Sequence, residues 1–372
     1  MNRKLRVGVI FGGRSGEHEV SLASATSVMH ALDKDKYDVV PIGITPGGRW
    51  VSSPQALTML KEKAGLDSEP ERVLLPEPQR QGLVSAAEMQ NNPQQLDVVF
   101  PVVHGTYGED GTLQGLLELA NIPYVGAGVL ASAVGMDKIV QKRLFAEAGL
   151  PIVHYVWFLS SRCRETPAAI ARTVEKELKY PVFVKPANTG SSVGITKAHR
   201  RGELLEGLAV AAECDRKVIV EQGVKGAREI ECSVLGNNAP QASLPGEIIP
   251  SNEFYDYDAK YVDGKSIAIT PVKLPAAVIK EIRRVAVEAY RVIDCAGMAR
   301  VDFFLTKRKL YLNELNTIPG FTAISMYPKM WEASGLPYAR LLDKLIELAI
   351  ERHREINARR TSYTPANDWY KT

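Results

Sequence analysis

Residues Ala299–Thr322 read ARVDFFLTKRKLYLNELNTIPGFT. Two strand-like runs flank a basic turn at Lys307-Arg308-Lys309, which predicts a β-hairpin. Centring it on Arg308 sets Thr306 opposite Leu310, Asp302 opposite Glu314 and Arg300 opposite Asn316. Side chains alternate along a strand, so Arg300 and Asp302 share one face, as do Glu314 and Asn316. Two carboxylates directly across from each other repel unless a proton or a cation lies between them. Two carboxylates with an amide oxygen suit Mg²⁺, whose remaining positions are filled by water or phosphate oxygens. The competing reading is a solvated polar face, with Val301, Phe303 and Leu305 turned to the core. Phosphate-binding residues elsewhere in the chain decide between the two.

A chain of 372 residues is too long for one ordinary core, so two or three domains are expected. The apolar fraction of 45% and charged fraction of 24% are those of a soluble globular protein. A net charge of +3 is too small to imply a nucleic-acid partner, and the arginines at 352, 354, 359 and 360 read as a solvated helix end. Cys163, Cys214, Cys232 and Cys295 are widely spaced without a CxxC pair, so neither a zinc site nor a disulfide framework follows. No run approaches membrane-spanning length, and the apolar stretch near the start is too short for a signal core; a cytoplasmic location is expected.

Leu5–Phe11 is a short β-rich run followed by Gly12-Gly13-Arg14-Ser15-Gly16-Glu17 and a helical pattern over Val20–Leu32, the opening of a doubly wound α/β domain. The loop is not GxGxxG, which disfavours a dinucleotide site. Glu17 has two readings, a favourable charge at a helix mouth or a carboxylate that holds an ammonium group. Tyr37–Ile44 is a second strand, and residues 48–95 read as a surface excursion of hairpin and helix. Leu96–Val103 returns to the sheet and delivers HGTYGEDG (104–111) at its carboxyl end, where open α/β sheets bind ligands. His104 is therefore expected at a ligand, and Asp110 or Thr112 caps the helix that follows.

A boundary is expected near Gly126, followed by a helix carrying Lys138. Pro181–Pro186 is a buried strand ending in Lys185, and the loop Ala187–Gly194 after it offers backbone N–H groups and the hydroxyls of Ser191 and Ser192 to phosphate oxygens. A lysine there costs desolvation without an anionic partner, unless it reaches solvent. A strand over Lys217–Val220 ends in Glu221 and leads to Glu229 and Glu231, acids able to accept from an adenine amine and ribose hydroxyls. Residues 251–265 (SNEFYDYDAKYVDGK) are aromatic and charged without apolar periodicity, the character of a lid. Pro275–Ile293 is an amphipathic helix with Val278, Ile282, Val285, Ala289 and Val292 in one stripe, and two helices close the chain, about 325–333 and 337–357.

HGTYGEDGTLQG, MDK at 136–138, VFVKPANTGSSVG, YDYDAKY, ARVDFF and NELNTIPGFT, in that order, resemble the D-alanine–D-alanine ligases of the ATP-grasp superfamily. The match runs nearly end to end and is weakest over 48–95. The resemblance implies a three-domain α/β ATP-grasp fold: an N-terminal doubly wound substrate domain (1–126), a central α+β domain (127–221) and a C-terminal α+β domain (222–372). It implies ATP as substrate, with Lys138, Lys185 and Ser192 at its phosphates, Glu221 at the adenine, Glu229 at the ribose and Lys260 at the γ-phosphate. Asp302, Glu314 and Asn316 would bind two Mg²⁺ or Mn²⁺. Tyr261 would join Glu17 and Ser191 over the substrates, and Arg300 with the Gly320 N–H would form an oxyanion hole. Glu17 and His104 would lie near the first D-alanine, and Ser325 and Met326 would hold the second substrate's carboxylate.

The activity so implied is ATP-dependent joining of two D-alanines through D-alanyl phosphate, for peptidoglycan precursors, by a cytoplasmic homodimer with no nucleic-acid or membrane partner. A D-alanine–D-lactate ligase is the nearest rival, against which Tyr261 argues because in the family a tyrosine there accompanies an amine acceptor. A non-catalytic nucleotide-binding protein predicts loss of some metal or phosphate positions, and none of those expected is lost.

Overall fold

The computed structural model describes residues 3–85, 94–190, 193–250 and 266–360. The first apolar run forms β1 (Leu5–Gly12), followed by α1 (His18–Ala31) and β2 (Tyr37–Ile44). β3 (Trp50–Val51), α2 (Ala56–Glu62), β4 (Arg72–Leu74), β5 (Gly82–Ser85) and β6 (Gln94–Gln95) make up the expected surface excursion, with β4, β5 and β6 in a small antiparallel sheet of their own. β7 (Val98–Pro101) returns beside β1, giving the order β3-β2-β1-β7 with β2, β1 and β7 parallel. Val7, Val9, Ile10 and Phe11 are fully buried on both faces of that sheet, which is why β1 reads as a continuous apolar run and not as an alternating one.

α3 (Thr112–Leu119) follows the loop at the end of β7. Gly111 takes the capping position that Asp110 or Thr112 was expected to fill. Asp110 instead accepts from the Thr112 N–H at 3.1 Å and the Tyr107 N–H at 2.8 Å, bracing the loop before the helix. Beyond Gly126 the chain forms two helices, α4 (Val129–Met136) and α5 (Lys138–Glu147), parted at Asp137. The Asp137 carboxylate accepts from the Ile139 and Val140 N–H groups and pairs with Lys217, so an N-cap starts a new helix at Lys138.

The apolar run 152–159 predicts a strand, and β8 (Tyr155–Leu159) forms over its last five residues. With α6 (Ser160–Glu165), α7 (Pro167–Glu177), β9 (Val182–Pro186), β10 (Thr196–Ala198), α8 (Arg201–Cys214) and β11 (Lys217–Gln222) it builds an antiparallel sheet in the order β10-β9-β11-β8. The next sheet is also antiparallel. It contains β12 (Arg228–Leu235), β13 (Gln241–Ala242), β14 (Gly246–Ile249), β15 (Ile267–Ile269), β16 (Met298–Leu305) and β17 (Leu310–Asn316), ordered β15-β14-β12-β16-β17 with β13 on β12. α9 (Ala276–Val292) packs Ile282, Val285 and Ala289 into the core beneath it, as the apolar stripe requires.

The hairpin β16–β17 pairs Asp302 with Glu314 and Arg300 with Asn316, as expected. Nearer the turn the register differs by one: Leu305 faces Leu310, and the Thr306 N–H donates to the Lys309 carbonyl, so the expected Thr306–Leu310 pair does not form. The tighter turn is stabilised by the Thr306 hydroxyl, which accepts from the Lys309 N–H at 2.9 Å. A β-bulge absorbs the difference, since Phe303 faces Leu312 while Asp302 faces Glu314, leaving Asn313 as the extra residue.

After α10 (Met326–Ala333), α11 (Tyr338–Asn357) returns to the first sheet. Leu341, Leu342, Leu345 and Ile346 share one apolar cluster with Val7, Val9, Phe11, Val98 and Phe100. Residues 338–349, expected within a C-terminal unit of 222–372, thus contribute to the core of the N-terminal sheet. Asp343 accepts from Lys36 at 2.7 Å and from the Tyr37 hydroxyl at 2.9 Å, and the Arg352 guanidinium lies 4.3 Å from the Tyr124 ring centre. No helix among the described residues is long and apolar enough to cross a membrane. Leu345 is 0% exposed, so Leu345→Ala should lower the unfolding free energy by about 2–5 kcal/mol in a urea titration; a loss well below that range would show that α11 is not part of this core.

Candidate active site

Three basic side chains meet where the central sheet approaches β17. Lys185 at the end of β9 and Glu221 on β11 lie on neighbouring strands, and the lysine Nζ contacts Glu221 Oε2 at 2.6 Å. The other oxygen of Glu221 is 2.9 Å from Lys142, a residue 1% exposed that lies one helical turn after Lys138 on α5. Lys142 also donates to the Asn313 carbonyl at 2.8 Å, so it joins the central sheet to the bulge in β17. Burial works against the charge on Glu221, but Lys142 and Lys185 outweigh it and hold the carboxyl down to about 2. Burial also disfavours the charge on both lysines. Glu221 and Glu314 overcome that for Lys185, whose pKa is raised, whereas Lys142 remains lowered. The cluster sets two lysines around one carboxylate at the back of the cleft.

The opposite wall is acidic. Glu231 on β12, Asp302 on β16 and Glu314 on β17 stand in register across three adjacent strands. Arg300 grips Asp302 with Nε and Nη2, each at 2.7 Å, and Asn316 Nδ2 donates to Asp302 Oδ2 at 3.0 Å. Burial opposes the Arg300 charge, but Asp302 and Glu231 hold its pKa well above the usual value. Lys138 Nζ lies 3.9 Å from Glu314 Oε2 and donates to the Thr189 carbonyl at 2.8 Å, linking this wall to the glycine-serine loop. Asp302, Glu314 and Asn316 are a hard oxygen set of the kind Mg²⁺ prefers, with two facing acids and an amide, so the residues present fit that ion. Glu229, two residues before Glu231 on β12, lies on the same face of that strand.

A second group lies beyond Lys138. The buried Glu17 carboxylate sits against Gly105 and Gly190; a Cβ at Gly105 would lie 2.8 Å from its Oε2, and one at Gly190 closer still. Only glycine admits so close an approach. His104 is 3% exposed, with Nδ1 3.0 Å from the Ile318 carbonyl and Nε2 2.9 Å from the Ser24 hydroxyl. Burial lowers its pKa, against a smaller upward pull from Glu17, so the neutral ring donates from Nδ1 and accepts at Nε2. In this structure His104 ties the loop after β7 to the loop after β17, and both ring nitrogens are engaged within the protein. Ser325 caps that second loop, its hydroxyl accepting from the Thr322 N–H at 3.1 Å and lying near Gly320, and Met326 is buried beside Ile248.

Ser191, Ser192, Lys260 and Tyr261, with the expected lid 251–265, lie outside the described residues. Lys142 was missed in the sequence, although its spacing of four from Lys138 was a legible signal for a second lysine on the same helix face. Glu109 was also left without a role inside its quoted motif; its Oε1 accepts from the Gly105 N–H at 2.8 Å.

Two antiparallel sheets that close on one cleft, lysines on one wall and acids on the other, are the ATP-grasp architecture. Comparison with known proteins narrows the class. The family model for the D-ala D-ala ligase N-terminus matches residues 6–127, and that for the D-ala D-ala ligase C-terminus matches 144–347. The D-alanine--D-alanine ligase of Thermoanaerobacter sp. (strain X514) is 51% identical over 95% of this chain and 98% of its own. The solved D-alanine-D-alanine ligase from Coxiella burnetii is 41% identical, with a TM-score of 0.82 over 96% of this chain and 97% of that one. VanG D-Ala:D-Ser ligase from Enterococcus faecalis superposes with a TM-score of 0.83 at 38% identity, over 93% of this chain and all of that one. The chain belongs to the D-alanine–D-alanine ligase family.

Burial and the negative charge of Glu17 push the Glu109 carboxyl up to about 8. A carboxyl with a raised pKa keeps in the fold a proton that the unfolded chain has released, so stability falls as pH rises between the two values, here about 4.5 and about 8. Glu109→Gln keeps the acceptor for Gly105 and removes the titration. The fall in melting temperature across that window should flatten, and an unchanged slope would show that Glu109 does not carry it.

Proposed function

We propose that this chain joins two molecules of D-alanine at the expense of ATP, through a D-alanyl phosphate, releasing ADP and phosphate. The observation that carries the reading is the pairing across the cleft, with Lys138 3.9 Å from Glu314 and Lys185 bound to Glu221 behind it. Phosphate-binding lysines and cation-binding acids thereby line one cavity wall each, and neither the first sheet nor a dinucleotide fold accounts for them.

A carboxylate does not condense with an amine at neutral pH because oxide is too poor a leaving group. Transfer of the γ-phosphoryl group to one D-alanine carboxylate replaces oxide with phosphate. That transfer needs positioning and charge neutralisation more than covalent assistance, and Lys138 and Lys185 supply both. Mg²⁺ held by Asp302, Glu314 and Asn316 would neutralise phosphate charge. Glu17, against Gly105 and Gly190, holds the ammonium of the first D-alanine. The amine of the second attacks the acyl carbon, Arg300 and the Gly320 N–H stabilise the tetrahedral oxyanion, and the C–O bond to phosphate breaks, the departing phosphate taking up the proton the amine loses. One such donor is worth about 2.7–4 kcal/mol of barrier. An acyl phosphate hydrolyses when wet, which gives residues 251–265 a purpose as a cover. Ser191, Ser192, Lys260, Tyr261, the homodimer and the supply of peptidoglycan precursors enter this proposal on the family resemblance alone.

The test is phosphate release from ATP with D-alanine, L-alanine, or D-alanine paired with D-serine or D-lactate, the product identified by mass. D-alanine alone should give the dipeptide, and L-alanine should give none. Asp302→Asn should abolish turnover at saturating ATP. Efficient formation of only a D-serine dipeptide or an ester, or near-normal rates for the variant, would overturn the assignment.

A further inference from the structure

One acid on the cleft wall has no part in the mechanism above. Glu231 is 6% exposed, faces Asp302 across β12 and β16, and reaches Arg300 Nε at 3.3 Å. Arg300 meanwhile spends Nε and Nη2 on the two oxygens of Asp302, and Asn316 donates to one of the same oxygens. This closed fork competes with the tasks proposed for both groups. It takes one lone pair on each Asp302 oxygen, facing away from any cation they would share, and two of the five N–H groups of Arg300.

When the fork opens, the guanidinium still needs a counter-charge, because it does not lose its proton and a buried charge without a partner is costly. Among the described residues, the acids that act most on Arg300 are Asp302, Glu231 and Glu314. Asp302 and Glu314 are the proposed metal ligands, so Glu231 is the one outside that set. Its place on the neighbouring strand, on the same face, lets Arg300 swing by a change of side-chain rotamer with no backbone movement.

We infer that Glu231 is a positioning residue: it receives the Arg300 guanidinium when Asp302 turns to the metal, and so keeps Arg300 anchored beside the reacting carbonyl. Metal loading and assembly of the oxyanion hole are then one event. The inference rests on the reading of Arg300 and Asp302 given above. It differs from a third acid acting directly on the cation, and from an ion pair that only holds two strands together.

The test is a double-substitution cycle of Glu231→Gln and Arg300→Met, read by the affinity for Mn²⁺ in the presence of ADP (electron paramagnetic resonance) and by kcat and KM for ATP at saturating metal. Without Glu231 the guanidinium is held on the proposed metal ligands, so Glu231→Gln should weaken Mn²⁺ binding and lower kcat, each by roughly tenfold to a hundredfold, and leave KM for ATP nearly unchanged. In the Arg300→Met background the same substitution should change Mn²⁺ affinity by no more than about twofold. An equal loss in both backgrounds would mean that Glu231 acts on the cation directly, and no loss in the single variant would reduce it to a structural pair; either result overturns the inference. Glu231→Asp, which keeps the charge, serves if the glutamine variant fails to melt cooperatively, and should restore most of the Mn²⁺ affinity; if it does not, the inference also fails. Absence of D-alanine-dependent phosphate release by the parent protein would strike the proposed function instead, and the Mn²⁺ cycle would still decide the role of Glu231.

Discussion

Three carboxylates side by side on neighbouring strands are the constraint to which the cleft is fitted. Unit charges about 5 Å apart repel by on the order of 3 kcal/mol at an effective dielectric constant near 20, and facing strand positions are that close. Among the described residues, Arg300 lies against Asp302 and Glu231 while Lys138 approaches Glu314, which offsets that repulsion. The compensation comes from residues that the proposed reaction also requires. On the proposed reading, a cation and a triphosphate would take the place of these ion pairs.

The basic wall follows the same logic with the signs exchanged. Glu221 contacts both lysines of this wall, one with each oxygen. Lys142 is buried too deeply to reach a ligand itself. Its second bond, to the Asn313 carbonyl, is available because the bulge removes Asn313 from the β16–β17 ladder. One irregular residue therefore corrects the register so that Asp302 meets Glu314, and also supplies the carbonyl through which a lysine from α5 fixes the two sheets to each other.

Much of this was legible because strand periodicity and glycine loops leave local marks. Centring the hairpin on Arg308 gave the right pairs at 300–316 and 302–314 through two offsetting departures, a turn one residue tighter and a bulge at Asn313. Neither has a local sequence signature of its own: Thr306 as a turn acceptor and Asn313 as a bulge residue are ordinary polar choices. Asp137 carried a capping signature that went unread because an apolar run on one side and a lysine helix on the other suggested a single element. The return of α11 to the first sheet was not legible at all. Amphipathic periodicity shows that a helix buries a stripe, but the identity of the surface that receives it is a tertiary fact, fixed here by contacts between residues near position 345 and strands more than two hundred residues earlier.

His104 also ties these segments together. Its place at the carboxyl end of β7 made a ligand contact the natural expectation, yet its ring joins Ile318 to Ser24. Ile318 and Gly320 belong to the segment that leaves the acidic hairpin and enters α10, and Phe321 from the same segment packs edge-on against Phe100 of β7 while Tyr338 of α11 donates to its carbonyl at 2.7 Å. The Gly320 N–H is therefore held from both sides, by the first sheet through His104 and Phe100 and by the C-terminal helix through Tyr338. A donor aimed at a developing oxyanion is useful only if its direction is fixed before the charge appears. A neutral, fully engaged imidazole fixes that direction without adding a positive charge that would compete with the proposed ammonium for Glu17.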